Sequence, residues 1–351
     1  MIFAGDYACP NIQSFPTLDI PKSLRDKKWV LNLEGSLMTE ESDKLLKDHV
    51  VYNGMDAFEK LDDVLNLDVV ALANNHIDDT ANISQSIMLS SSKTNCFGAG
   101  ENLDAARTIH TYYENDQHHC ILNFGWEAID CTIAKGNSQG VNPYSKENVI
   151  EQFTQVQSDF PESHIILYMH WNYELAEYPH PLDRELSHHL IDLGAKAVIG
   201  CHSHRVQGAE IYKDCPIIYG LVNFIFPQNV FWDGKLSYPD FCSLELCFEL
   251  NVATKSYLCH WLVYDKKKNE VSYVGTESLL ESKRLKERTP FSDVSLGDYE
   301  LWFKENRTQK KLLPIFKFGD SKSIFQLKIK WISIRHKFIL FLYNLKNIVK
   351  K

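Results

Sequence analysis

The sequence lacks any segment that predicts a membrane span, because no run of about 18 consecutive apolar residues occurs in it. It also lacks a basic n-region followed by a long apolar h-region, so no signal peptide is predicted and a cytoplasmic location is expected. The nine cysteines are odd in number and show no C-x-x-C spacing, which disfavours zinc fingers and is typical of reduced thiols.

Two further classes of protein find no support. No G-x-x-x-x-G-K-[ST] motif is present, so an ATPase would have no phosphate-binding loop. The formal net charge is −9, which favours no nucleic-acid partner. Acidic residues are absent from residue 321 to the end, where eight Lys or Arg stand; subtracting those eight positive charges from −9 leaves −17 for the rest of the chain. The tail is therefore chemically distinct from the body.

Short apolar strands alternate with amphipathic helices through the first two thirds of the chain, and strand-like sequence then continues over residues 241–274. This order predicts an α/β fold in which two sheets form a sandwich flanked by helices. The expected strands are 2–4, 29–34, 67–73, 96–97, 109–113, 119–124, 164–169, 195–199, 209–212 and 216–224, and the expected helices are 55–65, 83–92, 103–107, 146–160 and 183–193.

Polar side chains that can bind a metal or a proton follow five of the predicted strands. They are Asp6, Glu34, Asn75 with His76, His170, and His202 with His204. Ligand sites in α/β sheets collect at the carboxyl ends of the strands. Carboxylate, amide and imidazole donors together suit Mn²⁺, Fe²⁺ or Zn²⁺. One or two such ions are expected, because a carboxylate between two ions can bridge them and the pair can activate water.

These segments resemble the signature blocks of the CapA family of capsule and poly-γ-glutamate synthesis proteins, a family similar in fold to the calcineurin-like metallophosphoesterases. The blocks that carry the resemblance are Gly5-Asp6, Asn32-Leu33-Glu34, Ala73-Asn74-Asn75-His76, Gly98-Ala99-Gly100, His170-Trp171-Asn172-Tyr173-Glu174, Gly200-Cys201-His202-Ser203-His204 and Tyr219-Gly220-Leu221-Val222-Asn223-Phe224. They cover about residues 1–228 in order.

The resemblance implies a role for each residue. Asp6 and His204 hold one metal, a second set holds the other, and Glu34 bridges the two. The second set is Asn75, His170 and His202. His76 protonates a leaving group or donates a hydrogen bond to the transition state. Glu174 acts as a further ligand, as a partner that orients an imidazole, or as a base.

Two more residues are candidates for substrate binding. Arg205 follows the histidine pair directly and could clamp a phosphate or carboxylate, although a surface salt bridge explains it equally well. Asn223 is the second candidate, and Val222 before it stands where glycine is usual in the family. The implied substrate is anionic or polymeric.

Three functions stay open. The first is a metal-dependent hydrolase that attacks a phosphoester or an amide during synthesis of capsule, poly-γ-glutamate or polysaccharide. The second is a non-catalytic assembly factor with a structural or vestigial metal site, which the absence of the superfamily's Asp-x-His block at Asp6-Tyr7-Ala8 favours. The third, a metal-dependent nuclease, is weakened by the acidic body.

The chain is divided into a metallophosphoesterase-like domain, residues 1–280, and a helical extension, residues 281–351. The extension ends in a basic amphipathic helix that includes Ile324, Leu327, Trp331, Ile334, Phe338, Leu342, Leu345, Ile348 and Val349. Such a helix can lie peripherally on the inner membrane surface or contact a synthase, and packing against its own body is the equal alternative.

Overall fold

The computed structural model describes residues 1–38, 50–80, 83–308 and 310–348 of the 351, with side chains described as far as residue 339 in the last helix. The strands of these ranges are β1 Ile2–Tyr7, β2 Thr17–Asp19, β3 Lys28–Leu33, β4 Ser36–Met38, β5 Tyr52–Gly54, β6 Asn66–Ala71, β7 Asn95–Phe97, β8 Ala99–Gly100, β9 His110–Glu114, β10 Gln117–Gly125, β11 Gly140–Val141, β12 His164–His170, β13 Ala197–Cys201, β14 Ala209–Tyr212, β15 Cys215–Ile218, β16 Leu244–Asn251, β17 Ser256–Asp265 and β18 Glu270–Ser278. The α-helices are α1 Lys22–Arg25, α2 Met55–Val64, α3 Ile83–Ser91, α4 Leu103–Ala106, α5 Lys146–Asp159, α6 Pro181–Leu193, α7 Lys283–Arg288, α8 Leu296–Asn306 and α9 Lys322–Ile348.

Two mixed sheets form the centre of the molecule. The larger has the strand order β2-β18-β17-β16-β1-β3-β6-β7, and the smaller has the order β14-β15-β13-β12-β10-β9. The strands β1, β3, β6 and β7 pair in parallel, as do β10, β12, β13 and β15. The expected fold class, an α/β two-sheet sandwich flanked by helices, is therefore confirmed.

The sheets pack face to face over an apolar core drawn from both of them. This core includes Phe3 and Val30 of the larger sheet and Ile166 and Ile199 of the smaller, all fully buried. Parallel strands covered on both faces are apolar along their whole length, and residues 165–169 of β12 show this pattern without interruption. Helices α2, α5 and α6 pack on the outer faces.

One predicted strand is shorter than expected. The prediction placed a strand over residues 216–224, whereas β15 ends at Ile218. The backbone after it is irregular, because Val222 and Ile225 have φ angles of 77° and 59°, which break an extended chain. This irregular segment still pairs with β1 through a single bridge between Asp6 and Asn223.

The described part of the C-terminal extension packs on the body. Tyr299, Phe303 and Phe316 are each at most 3% exposed and join the same core cluster as helices α5 and α6. The division at residue 280 stays a prediction, but residues up to Phe316 are not a loose appendage. Among the described residues, no helix combines the length and the apolarity needed to cross a bilayer.

Arg184 of α6 joins this extension to the body, and its truncation is expected to be strongly destabilising. Its guanidinium donates two hydrogen bonds to the Glu210 carboxylate, at 2.9 and 2.7 Å, and one to the carbonyl of Val294. It also lies 4.5 Å from the ring centre of Tyr299. We expect Arg184→Ala to lower the free energy of unfolding by about 3–5 kcal/mol, because it removes the cation from the carboxylate of Glu210, which is 10% exposed, and leaves that carboxylate with the Tyr219 hydroxyl and His188 as its partners.

Urea unfolding measures this loss, and Lys213→Ala is the matched control. Lys213 forms an ion pair with Asp192 in which the two side chains are 61% and 42% exposed. Exposed pairs contribute only about 0–1 kcal/mol. Equal effects of the two substitutions would contradict the assignment of Arg184 to the junction.

Candidate metal centre

The carboxyl ends of the parallel strands of both sheets meet at one end of the sandwich. The acidic donors come from the larger sheet, where Asp6 is near the end of β1 and Glu34 follows β3. The smaller sheet contributes His170 at the end of β12 and His202 and His204 after β13. Two groups of buried donors result, Asp6 with His170 and Cys201, and Glu34 with His202 and His204. Within each group, the ligand atoms lie within 4.8 Å of one another.

A local turn brings the two neighbouring imidazoles to this one place. His202 and His204 have φ angles of 87° and 51°, a left-handed conformation that is uncommon outside glycine. The backbone N–H of His202 donates to Asp6 Oδ2 at 3.1 Å, which ties the turn to β1. The predicted backbone turn after the strand is therefore present, and both rings are at most 5% exposed.

Asn32 holds the two carboxylates together. Its side-chain amide donates to Asp6 Oδ1 at 2.9 Å and to Glu34 Oε2 at 2.6 Å. Burial, the largest influence, raises the pKa of Asp6, and nearby His204 opposes that effect. Burial also raises the pKa of Glu34 well above its usual range, and the negative charge of Asp6 adds to that effect. The two hydrogen bonds from Asn32 therefore do not by themselves offset the cost of burying two negative charges.

His170 lies at the centre of the cluster. Its Nε2 is 2.9 Å from Asn75 Oδ1, 3.1 Å from His202 Nδ1 and 3.5 Å from Glu34 Oε2. Its Nδ1 is 3.2 Å from Cys201 Sγ, so the thiol orients the ring from behind. Burial lowers the pKa of His170 and of His202 well below the usual value, and neighbouring imidazoles contribute. Both rings are therefore neutral, as metal ligands must be.

His76 stands at the rim rather than inside. Its Nε2 is 3.9 Å from Glu34 Oε1, and its side chain is 22% exposed. Its Nδ1 is 2.7 Å from Asp79 Oδ2, which also accepts the backbone N–H of Val51 at 2.9 Å. A carboxylate that is hydrogen-bonded to Nδ1 fixes the tautomer of an imidazole and makes Nε2 point away from that carboxylate. Here that nitrogen faces the cluster.

The far side of the cluster is closed by an amide and a phenol. His204 Nδ1 is 2.6 Å from Asn223 Oδ1, and His204 Nε2 is 3.0 Å from the hydroxyl of Tyr238. Asn223 thus lies beside a candidate ligand rather than on an open surface, and it is only 3% exposed. Tyr238 belongs to a small apolar cluster with Phe226 and Phe231 that covers this side.

Two predicted residues, Glu174 and Arg205, pair with side chains outside the donor cluster. The carboxylate of Glu174 is 4.0 Å from Lys310 Nζ and 43% exposed. Arg205 pairs with Glu177 at 3.0 Å and lies 4.5 Å from the ring centre of Phe241. The surface salt bridge, one of the two alternatives for Arg205, is the arrangement found. Substrate binding by Arg205 and a ligand or base role for Glu174 stay predictions.

Sequence reasoning assigned no role to four residues of this region, namely Asn32, Asp79, Cys201 and Tyr238. Three of them had a local signal: Asn32 and Cys201 lie inside blocks that carry the family resemblance, and Asp79 follows His76 by three residues. Tyr238 had none, because it lies 34 residues beyond the histidine that it contacts. The sequence also contains a G-x-S-x-G pattern at residues 136–140, but Ser138 is exposed there and its hydroxyl donates to the Lys135 carbonyl.

The donor set fits a divalent cation. Glu34 Oε1 is buried and accepts no hydrogen bond from the residues that the structure describes. Two buried carboxylates and neutral imidazoles face one another, and each carboxylate is disfavoured as an anion by its burial. A cation supplies both the missing partner and the missing positive charge. The residues that would hold it are Asp6, Glu34, Asn75, His170, His202 and His204; their division between two ions stays a prediction.

Comparison with known proteins finds similarity over the part of the chain that contains all the candidate ligands except Asp6. A family model described as bacterial capsule synthesis protein PGA_cap matches residues 24–228. The PGA biosynthesis protein CapA of Bacillus subtilis is 27% identical over 230 residues, which are 64% of this chain and 54% of that protein. The capsule biosynthesis protein CapA of Bacillus anthracis is 26% identical over 166 residues, 46% of this chain and 40% of that protein. The chain thus spans about half the length of these relatives.

Solved structures with some likeness include a 5'-nucleotidase precursor and the sulfate thiohydrolase SoxB, both from Thermus thermophilus. The first has a TM-score of 0.34 at 13% identity and covers 63% of this chain and 40% of that chain. The second has a TM-score of 0.35 at 10% identity and covers 70% of this chain and 37% of that chain.

Proposed function

This chain belongs to the bacterial capsule synthesis protein family PGA_cap, and we propose that it is a metal-dependent hydrolase that acts on an anionic polymer or its precursor. Membership of this family is our reason for proposing that the activity serves capsule or poly-γ-glutamate synthesis. The hydrolytic activity is our own inference, and it depends on the chemistry of the site rather than on the relatives.

The observation that carries the proposal is Glu34 Oε1, in the middle of the donor cluster, which accepts no hydrogen bond within the described part of the chain. A buried carboxylate oxygen without a hydrogen bond is costly unless a cation binds it. A structural site would be closed by protein ligands on all sides. Here the side of Glu34 that faces His76 is lined by a partly exposed imidazole, which a substrate can reach.

The residues of the site would have separate roles in hydrolysis. When a divalent ion is bound, it polarises the substrate's acceptor group and makes water more acidic. Asp6, Glu34 and the neutral imidazoles would hold that ion, and Asn32 keeps the two carboxylates together. When both ring nitrogens of His76 carry a proton, the one at Nδ1 stays with Asp79, and the one at Nε2, which faces the cluster, can pass to a leaving oxygen or nitrogen.

A direct test of the proposal pairs metal analysis with an activity panel. Protein purified without chelator is analysed for Mn, Fe and Zn and then assayed with phosphoesters and γ-glutamyl peptides. We expect a bound transition metal, activity in one of the two substrate classes, and loss of that activity on chelation. Metal-free protein that stays inactive when each of the three metals is added would sink the proposal.

Replacing His76 by alanine separates catalysis from metal binding. Because His76 lies at the rim and is not in either donor group, His76→Ala is expected to lower kcat by about 10²–10⁴-fold and to leave the metal content unchanged. Asp79→Asn keeps the ring but loses the anion behind it, so we expect a smaller loss and a changed pH profile of kcat. Equal loss of metal and activity in His76→Ala would instead make this histidine a ligand.

A non-catalytic assembly factor remains the second candidate, because the cluster is closed on the side of His204. The hydroxyl of Tyr238 lies 3.0 Å from Nε2 of His204, and both side chains are at most 9% exposed. If the site is structural, His76→Ala should support polymer synthesis as well as the unaltered protein does. If the site is catalytic, polymer synthesis should fail with it.

A further inference from the structure

The C-terminal helix α9 carries an apolar stripe that faces away from the body. Ile324, Leu327, Trp331, Ile334 and Phe338 recur at steps of three and four residues, so they share one face of a helix with 3.6 residues per turn. Each of these five side chains is 47–67% exposed. Scattered apolar residues are normal on a surface, but a continuous stripe of this length marks an interaction site.

A different face of the same helix is already used. Ile329 is 8% exposed, Phe325 and Ile332 pack on the core cluster, and Lys328 Nζ donates to the carbonyl of Ile315 and to Asp320. At 100° per residue, this docked face lies roughly opposite the stripe. Packing on the body and exposure of a second apolar face therefore coexist in α9. Leu342, Leu345, Ile348 and Val349, which the predicted stripe also included, lie outside the described side chains.

The charges around the stripe decide what can cover it. On the helix surface, Lys330 and Lys337 border the stripe on one side and Arg335 borders it on the other, and residues 322–348 contain no acidic residue. Pairing two copies along this stripe would place these cations against one another, which disfavours a second copy. A surface of negative charge above an apolar layer matches both features at once.

We propose that α9 lies along the surface of an anionic lipid bilayer, with its stripe in the interface and its flanking cations at the headgroups. The body then faces away from the lipid, because it packs on the opposite face of the helix. The rest of the chain carries −17, so the basic helix sets which face approaches a negative surface. This proposal is independent of the hydrolase, since no residue of the stripe lies in the donor cluster.

Vesicle flotation of the full chain tests the proposal. We expect binding to phosphatidylcholine vesicles that contain phosphatidylglycerol, weaker binding as salt is raised, and little binding to phosphatidylcholine alone. Lys330→Glu with Lys337→Glu should lower the partition coefficient roughly tenfold or more, and Ile334→Asp with Phe338→Asp should do the same. The control is Lys235→Glu with Lys283→Glu, the same change of charge at exposed sites away from α9, which should bind like the unaltered protein.

Trp331 supplies an independent signal. It is 56% exposed, whereas the other six tryptophans are buried or half-buried, so acrylamide quenching of the fluorescence reports mainly on this residue. Anionic vesicles should protect it, and Trp331→Phe should remove the protected component. The proposal would be overturned if the charge reversals left binding unchanged, or if the protein bound neutral vesicles as strongly as anionic ones. It would also be overturned if the protein sedimented as a dimer that Phe338→Asp dissociates.

Discussion

Glu34→Gln is expected to abolish tight binding of a divalent ion and, at the same time, to make the metal-free protein more stable at neutral pH. The substitution keeps the shape of the side chain, removes its charge and replaces one carboxylate oxygen with an amide NH2 group. A neutral amide is a far weaker ligand than a carboxylate, and Glu34 is the acidic member of the group that it forms with His202 and His204. Hydrolysis that needs the ion should fall with metal occupancy.

The gain in stability follows from the pKa of Glu34. Burial raises this pKa well above the usual 4.5, so the folded, metal-free protein holds the proton at pH values where the unfolded chain has released it. When the folded state binds more protons, the free energy of unfolding falls as pH rises, by up to about 1.4 kcal/mol per pH unit for one group. The loss begins above the unfolded pKa and continues up to the raised one. Glutamine does not titrate, so the variant escapes this loss.

Thermal unfolding in chelator between mildly acidic and neutral pH measures the effect, and titration with Mn²⁺ or Zn²⁺ measures the metal. A saturating ion should stabilise the unaltered protein by about 4 kcal/mol at a thousandfold excess over Kd, and it should stabilise Glu34→Gln much less. A pH-independent stability of the metal-free protein, or equal metal affinity in both proteins, would falsify the account.

Glu245→Gln is the matched control. Glu245 is 1% exposed, and burial alone raises its pKa well above its usual value. It shares with Glu34 the deep burial and the raised pKa, but no neighbouring carboxylate adds to its shift and it is in neither donor group. Its replacement should also flatten the decline of stability with pH, yet leave metal affinity unchanged. The pair of variants therefore separates the effect of burying a carboxylate from the effect of losing a ligand.

The fold was largely predictable because its strands bury both faces. A strand such as residues 165–169 of β12 has to be apolar throughout, and that pattern is visible in the sequence. The convergence of Asp6, Glu34 and the three buried histidines was predictable for the same reason, since each lies within three residues of the end of such a strand. Position at the end of a parallel strand is a local property that implies a common place in space.

What escaped prediction depends on contacts between distant segments. Tyr238 reaches His204 from an irregular loop with no periodicity, and Asn32 looks like an ordinary strand residue until both carboxylates are in place. Glu174 and Arg205 had the right neighbours in sequence, but the chain after His170 and His204 turns them toward Lys310 and Glu177. Composition could not show either outcome, because each is settled by a partner more than 25 residues away.

Gly5→Ala is expected to disrupt the site without touching a donor. A Cβ atom on Gly5 would lie 1.7 Å from the carbonyl oxygen of Val222, well inside the contact distance of any real pair of atoms. Gly5 is not among the residues of positive φ, so the cost is steric and does not come from its backbone angles. Forcing β1 away from this segment should lower the free energy of unfolding by about 3 kcal/mol or more.

The damage should be directed at metal binding, because the same two segments hold the donors. The N–H of Asp6 donates to the carbonyl of Val222 at 3.0 Å, and the N–H of Phe224 donates to the carbonyl of Asp6 at 2.8 Å. Any shift that makes room for the methyl group therefore moves Asp6 away from Asn223 and the His204 beside it. We expect metal affinity to fall together with the urea midpoint.

Gly319→Ala is the control for this variant, since no atom lies within 4 Å of the Cβ position there and its φ is ordinary. It should leave both the unfolding midpoint and the metal affinity unchanged. If Gly5→Ala folds too poorly to assay, hydrogen exchange of the unaltered protein gives a second measurement: the amide of Asp6 should be among the most protected, because it bonds to a fully buried carbonyl. Rapid exchange of that amide, or a Gly5→Ala variant as stable as Gly319→Ala, would show that β1 and the segment around Val222 are not locked together as the site requires.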